Sequence, residues 1–204
     1  MTGMAGPAPR MSYAEYLAFE EAAETKHDLV DGVVYAMAGG TIEHSRLANL
    51  VGAELTIALR GRSCTVYQAD ARVRVESTNR ATYADVTVVC GPVETASDDA
   101  QAIANPVVIV EVLSPTTERS DRGEKLAHYR RLDSLREYVL VSQEEPRVEV
   151  FRRTDAGWLG HGIYFGDAAC TTLSRSTSSK RLARSWPTRS LRTTSFSSPW
   201  VPPG

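Results

Sequence analysis

The spacing of apolar positions changes several times along the chain, and each change marks an element. Ser12 and Glu15 are spaced as a capping box ahead of Tyr16 and Leu17, which predicts a helix from residue 12 to about 24 with an acidic outer face. Two short apolar runs, 27–30 and 33–37, flank Asp31-Gly32, a pair suited to a tight hairpin turn. Gly39-Gly40-Thr41 breaks that pairing. Leu47, Leu50, Val51, Leu55, Ala58 and Leu59 then recur at helical spacing, so a second helix runs to Arg60-Gly61.

From residue 64 the period shortens to two. Segments 64–68 and 72–76 alternate like half-buried strands, with Val73 and Val75 on one face and Arg72 and Arg74 on the other. DVTVVC (85–90) and VVIVEVL (107–113) are denser, as expected of central strands covered on both faces. The polar stretch 91–105, with Asp98-Asp99, reads as a surface loop, and 114–120 as another. Leu126, Tyr129 and Leu132 form the buried stripe of a helix from about 119 to 132. Strands follow at 137–142 and 147–153, with one more expected at 157–165.

Residues 1–11 read as a loose leader. After residue 166 the pattern stops: about fifteen Ser and Thr, scattered Arg and a Pro-rich end cannot bury enough apolar surface to order themselves. Either 166–204 is a disordered appendage or the reading frame changes there; the abrupt end of the strand pattern favours the second.

Composition is that of a soluble globular chain, with 204 residues, 42% hydrophobic and 24% charged. The net charge of −2 conceals an asymmetry. Residues 1–165 hold 17 Lys and Arg against 24 Asp and Glu, whereas the tail holds 6 basic residues against Asp167 alone. No segment approaches the roughly 18 apolar residues of a membrane span, and no apolar leader is present, so a cytoplasmic protein is expected. Cys64, Cys90 and Cys170 form no CxxC or Cys/His cluster. No zinc site and no disulfide framework are therefore expected, and Cys64 and Cys90 read as buried thiols.

The chemistry concentrates at four residues. Glu111 lies inside VVIVEVL, where an unpaired carboxylate would cost several kcal/mol to desolvate. A buried salt bridge, a loop cap, an outward turn at the strand end or a metal would each satisfy it. Asp85 opens the other dense strand, where a turn role is equally open to it. Two carboxylates on neighbouring strands suit one hard cation such as Mg²⁺ or Mn²⁺, with water and phosphate oxygens completing its shell. Lys125 flanks the helical stripe, within reach of the strand ends or of a surface pairing with Asp121 at i−4. His44 begins the inward face of the second helix, as a capping residue or a catalytic accessory. Turn, loop and cap roles account for Asp31, Asp70 and Asp121. Arg72, Arg74, Arg130 and Arg131 read as solvated surface able to touch phosphates.

The order helix, three strands, helix, strand resembles the αβββαβ core of the PD-(D/E)XK nuclease superfamily. The runs HDLVDGVVYAMAGGTIEHSRLANLV (27–51), YADVTVVCG (83–91) and above all VEVLSPTTERSDRGEKLAHYR (110–130) are similar to the bacterial putative restriction endonuclease family, across about residues 12–165. The resemblance implies an α/β (α+β) fold with a mixed central sheet flanked by helices, preceded by an N-terminal helix and hairpin. It matches Asp85 and Glu111 to the metal-binding acids, with Ala84 where proline often stands. It also implies the Val112 carbonyl as a further ligand. The superfamily lysine falls at Leu113, and Lys125 of the following helix takes its place. The family carries a histidine at His44.

The expected activity is metal-dependent endonucleolytic hydrolysis of DNA, with 12–165 as the nuclease domain. A homodimer would supply a site for each strand. The alternative is a nuclease-fold DNA-binding or regulatory protein of weak catalysis, for which Leu113 and the atypical tail speak.

Overall fold

A computed structural model describes residues 10–37 and 39–164, with side chains described through residue 160. The expectations for residues 1–9 and for the tail 166–204 fall outside these residues.

Helix α1 (Tyr13–Ala22) starts at Ser12, whose hydroxyl and backbone N–H exchange hydrogen bonds with Glu15, forming the expected capping box. Strands β1 (His27–Val30) and β2 (Val33–Ala36) pair antiparallel around Asp31 and Gly32, both left-handed, at φ 48° and 83°. Met11 N–H donates to the Gly32 carbonyl at 2.7 Å, so the end of the leader is tied to this hairpin. Helix α2 (Ile42–Ala58), capped by Thr41, buries Leu47 and Val51. Gly52, also buried, packs against the Gln68 side-chain amide, which a methyl group there would displace.

The remaining strands are β3 (Cys64–Gln68), β4 (Arg72–Val75), β5 (Arg80–Tyr83), β6 (Val86–Cys90), β7 (Thr95–Ala96), β8 (Asp99–Ile103), β9 (Val108–Val112), β10 (Glu137–Val141), β11 (Arg147–Thr154) and β12 (Gly157–Tyr164). They form two six-stranded sheets, one ordered β2-β1-β5-β4-β8-β7 and the other β12-β11-β10-β9-β6-β3. The second sheet is mixed, since β9 and β10 run parallel while its other pairs are antiparallel. The expected core appears as α2, β3, β6, β9, a helical segment and β10, while β4–β5 and β7–β8 belong to the first sheet, the smaller of the two because its strands are shorter.

The helical segment is less regular than its stripe predicted. It comprises α3 (Glu118–Ser120), a π-helical turn (Asp121–Lys125) and α4 (Leu126–Tyr129). The extra residue in the π turn shifts the side chains that follow it around the axis.

Two apolar layers sandwich the larger sheet. Leu47 and Val51 of α2 meet Val86, Val110, Val112 and Val141 on one face. Leu126, Tyr129, Leu132 and Leu135 meet Ile109, Leu113, Tyr138 and Leu140 on the other, together with Val73 and Val75 of the smaller sheet. Leu113, in the superfamily's lysine position, is thus a core residue. A third cluster, Tyr13, Tyr16, Leu29 and Ala81, seats α1 on the smaller sheet.

Three expectations are corrected. Segment 91–105 contains β7 and β8, and its Asp99 is buried. Arg72 and Arg74 are not solvated: they pair with Asp99 and Asp98, each at 2.8 Å, and Arg74 stacks 3.6 Å from the Tyr13 ring centre. The acids of the supposed loop and the supposed surface arginines therefore neutralise each other beneath α1. Finally, Cys64 and Cys90 form a disulfide rather than two buried thiols. The register of β3 against β6 sets them directly opposite, Cα to Cα 3.9 Å, a pairing hidden by a separation of 26 residues. Among the described residues no helix is long and apolar enough to cross a membrane.

Candidate active site at the ends of the central strands

The antiparallel register that pairs Val86 with Val110 sets Asp85, one residue ahead of β6, level with Glu111 on β9. Asp85 Oδ2 accepts a hydrogen bond from Val112 N–H at 2.7 Å, which draws its carboxylate onto the backbone beside Glu111. Both carboxylates stand where the central strands meet the first turn of α2 and the π-helical turn. Among the described residues no arginine pairs with either of them.

Each carboxylate has a cationic or ionisable neighbour. His44 Nε2 lies 3.2 Å from Asp85 Oδ2. That hydrogen bond holds the imidazole pKa above its ordinary value against the opposing effect of burial, and the charges of Asp85 and Glu111 act in the same direction. Gly40 makes room for the ring, since a methyl group there would sit 2.8 Å from His44 Nδ1. Lys125 Nζ lies 3.2 Å from Glu111 Oε1 and 2.9 Å from Asp121 Oδ1. The surface pairing with Asp121 does form, but in the interior, where Asp121 is 1% exposed and Lys125 also reaches Glu111. Burial pushes the Lys125 ammonium down, and the surrounding Glu111, Tyr129, Asp121 and Asp28 outweigh it, so it stays protonated.

Glu111 is 3% exposed. Burial pushes its carboxyl up to about 8; Lys125 opposes that rise, while Asp85, Asp121 and Asp28 add to it. Tyr129 O–H donates to Glu111 Oε1 at 3.0 Å, and burial beside that carboxylate holds the phenol well above its usual range.

The four predicted residues therefore stand as two adjoining pairs, His44 with Asp85 and Lys125 with Glu111. Asp31 and Asp70 stay outside, in exposed pairs with Arg10 and Lys26. Sequence reasoning missed Asp28. It approaches from the smaller sheet, accepts from Tyr83 N–H at 3.3 Å and lies 3.9 Å from the buried Arg80 guanidinium. Arg80 in turn contacts Glu124, next to Lys125, at 3.2 Å. The alternation within β1 marked Asp28 as lying opposite Leu29, but only the second sheet reveals that this face is covered. Tyr129 was legible as a buried stripe residue and not as a partner of Glu111.

Among the described residues no three His, Cys, Asp or Glu side chains are gathered closely enough to cage a metal ion by themselves. The donor set still fits a hard dication, which takes one or two protein carboxylates and leaves its other positions to water and phosphate oxygens. A carboxyl as high as that of Glu111, kept there partly by neighbouring anions, is also one that an added cation would relieve. A cavity of about 310 Å³ lies past the ends of β9 and β10, lined in part by Leu113, Ser114, Arg122, Ser142 and Gln143 and by none of the four predicted residues.

The fold that carries these side chains is that of a restriction-endonuclease-like domain. The chain belongs to the Uma2 family, described as "Putative restriction endonuclease", whose profile matches residues 13–176. Two uncharacterized proteins of Synechocystis sp. are 36% identical over 154 residues (75% of this chain and 80% of theirs) and 30% identical over 150 residues (73% and 85%). The fold is similar to the crystal structure of a putative nuclease belonging to DUF820 from Anabaena variabilis. The TM-score is 0.64 at 17% identity, covering 84% of this chain and 96% of that one.

Proposed function

We propose that this protein is a divalent-metal-dependent endonuclease that hydrolyses phosphodiester bonds in DNA, with Mg²⁺ or Mn²⁺ as its cation. The observation that carries the reading is the convergence of Asp85 and Glu111 from adjoining strands, each next to an ionisable side chain and, among the described residues, neither taken by an arginine. Asp85 and Glu111 would hold the cation. When bound, it supplies polarisation of the phosphate and a more acidic water.

The chain's own residues have distinct tasks. Lys125, kept charged by its carboxylate neighbours, presents an ammonium that neutralises charge growing on a phosphoryl oxygen. Tyr129 holds Glu111 Oε1 by its hydroxyl and so fixes the carboxylate plane. His44 does the same for Asp85 and, being partly exposed, can pass a proton to a leaving oxygen. The apolar layers beneath keep bulk water from the floor of the site, which strengthens each of these interactions.

Plasmid cleavage in Mg²⁺ or Mn²⁺ tests the reading. Wild type is expected to nick or linearise the plasmid, with Asp85→Ala and Glu111→Ala each slower by about two orders of magnitude or more. Metal-independent cleavage, or cleavage unaffected by both substitutions, overturns it. DNA binding without cleavage by wild type would instead support the binding or regulatory alternative.

A further inference from the structure

We propose that Gln143 is a positioning residue, clamping the His44-bearing end of α2 to the carbonyl end of β9. The proposal deepens the nuclease reading and rests on it for its catalytic consequence.

Gln143 lies just beyond β10, in a turn whose own hydrogen bonds do not need its side chain. Ser142 builds that turn, its hydroxyl accepting from Glu144 N–H at 3.2 Å and Glu145 N–H at 3.3 Å. The Gln143 amide reaches elsewhere. Its Nε2 donates to the Leu113 carbonyl at 2.6 Å, and its Oε1 accepts from the Thr41 hydroxyl at 2.7 Å. A carbonyl can only accept, so the amide group facing Leu113 must be the NH₂, and the orientation toward Thr41 follows.

Both ends of this bridge lead into the site. Leu113 follows Val112, whose N–H binds Asp85, and lies two residues beyond Glu111. Thr41 caps α2, its hydroxyl oxygen accepting from His44 N–H at 3.0 Å. The single hydroxyl proton of Thr41 goes to Gln143, which leaves its oxygen aimed at His44. Gly40, next to Thr41, lies against the His44 ring. One amide thus fixes the cap, the cap fixes the first turn of α2, and that turn sets His44 at 3.2 Å from Asp85. Glutamine suits the task because it offers a donor and an acceptor on one rigid plane.

The test compares the full chain with Gln143→Leu, which loses both bonds, Gln143→Glu, which keeps only an acceptor, and Thr41→Ser, which keeps the hydroxyl. Gln143 is half-buried in a turn, so melting temperatures are expected to stay together. Hydrogen exchange read by mass spectrometry over residues 39–50 should show the first-turn amides of α2 exchanging about tenfold faster in both Gln143 variants, with later turns unchanged. In Mg²⁺-dependent plasmid cleavage, kcat should fall about ten- to a hundredfold with KM held, as for a misplaced catalytic group. Thr41→Ser should match wild type in both readouts.

Unchanged exchange in Gln143→Leu overturns the clamp, and so does a Gln143→Glu variant that behaves as wild type, because then only the Thr41 contact matters. If wild type cleaves nothing, the nuclease reading fails while the exchange experiment still judges the clamp.

Discussion

Glu111 occupies a position where water is excluded, the carboxylates of Asp85, Asp121 and Asp28 act on it, and one ammonium and one phenol supply the balance. Its carboxyl is raised from about 4.5 to about 8, so the folded protein binds a proton there that the unfolded chain releases. For an acid raised in the folded state, the stabilising contribution is complete below the unfolded value and is lost as pH rises toward 8. Without divalent metal, Glu111→Gln should therefore melt above wild type at pH 8.5, with the difference shrinking toward pH 5. Added Mg²⁺ should raise the wild-type melting temperature most at the alkaline end and leave the variant unmoved. Calorimetry from pH 5 to 9, with and without Mg²⁺, reads both effects; a gap independent of pH would mean that Lys125 keeps Glu111 ionised throughout. At this scale the sequence was legible where an anomaly was visible. A glutamate inside VVIVEVL stands out, and an aspartate heading DVTVVC pairs naturally with it. Asp28, Arg80 and Gln143 carry no such mark, because what makes them unusual is what covers or meets them in three dimensions.

At the level of elements, the larger sheet and α2 followed from periodicity: β6 and β9 are dense, mostly apolar runs, and Leu47 and Val51 of α2 are buried as their spacing predicted, although Ala58 of the same stripe is exposed. The smaller sheet did not. Its strands β5, β7 and β8 are at most five residues long, and its interior mixes polar groups with apolar ones: Arg74, Arg80, Thr82 and Asp99 are all buried. Asn79, left-handed at φ 46°, turns β4 into β5 without the Gly that usually announces such a turn. Charges that read as surface were instead used to fasten α1, through Tyr13 O–H on Asp99 and Arg72 on both Asp99 and Tyr83. Removing one member of such a pair strands the other's charge. Asp99→Asn should destabilise the fold by about 3 kcal/mol, as for a broken buried ion pair, measured by urea unfolding. Mg²⁺-dependent DNA cleavage at 25 °C should persist, because Arg72 and Asp99 face α1 and not the carboxylate site. A loss of cleavage without a loss of stability would instead give Arg72 a phosphate contact, which the sequence left open beside its surface reading.

For the whole molecule the central tension is one of sign. The described residues carry 17 Lys and Arg against 24 Asp and Glu, and many of the arginines are committed: Arg74, Arg80 and Arg122 each contact carboxylates of this chain. A body of net −7 repels a polyanion, and the carboxylates at the strand ends place that repulsion where a scissile phosphate would lie. Association with DNA should then depend on cations at the site more than on a basic surface. Fluorescence anisotropy with a short labelled duplex should show affinity rising at least tenfold from EDTA to millimolar Ca²⁺, a dication used here to support binding while slowing cleavage. In Asp85→Asn, where one carboxylate charge is removed, binding in EDTA should tighten and the response to the dication should shrink. A basic-surface binder would behave differently: its affinity would follow monovalent salt with a steep slope, ignore Asp85, and weaken rather than strengthen as divalent cations competed for phosphates.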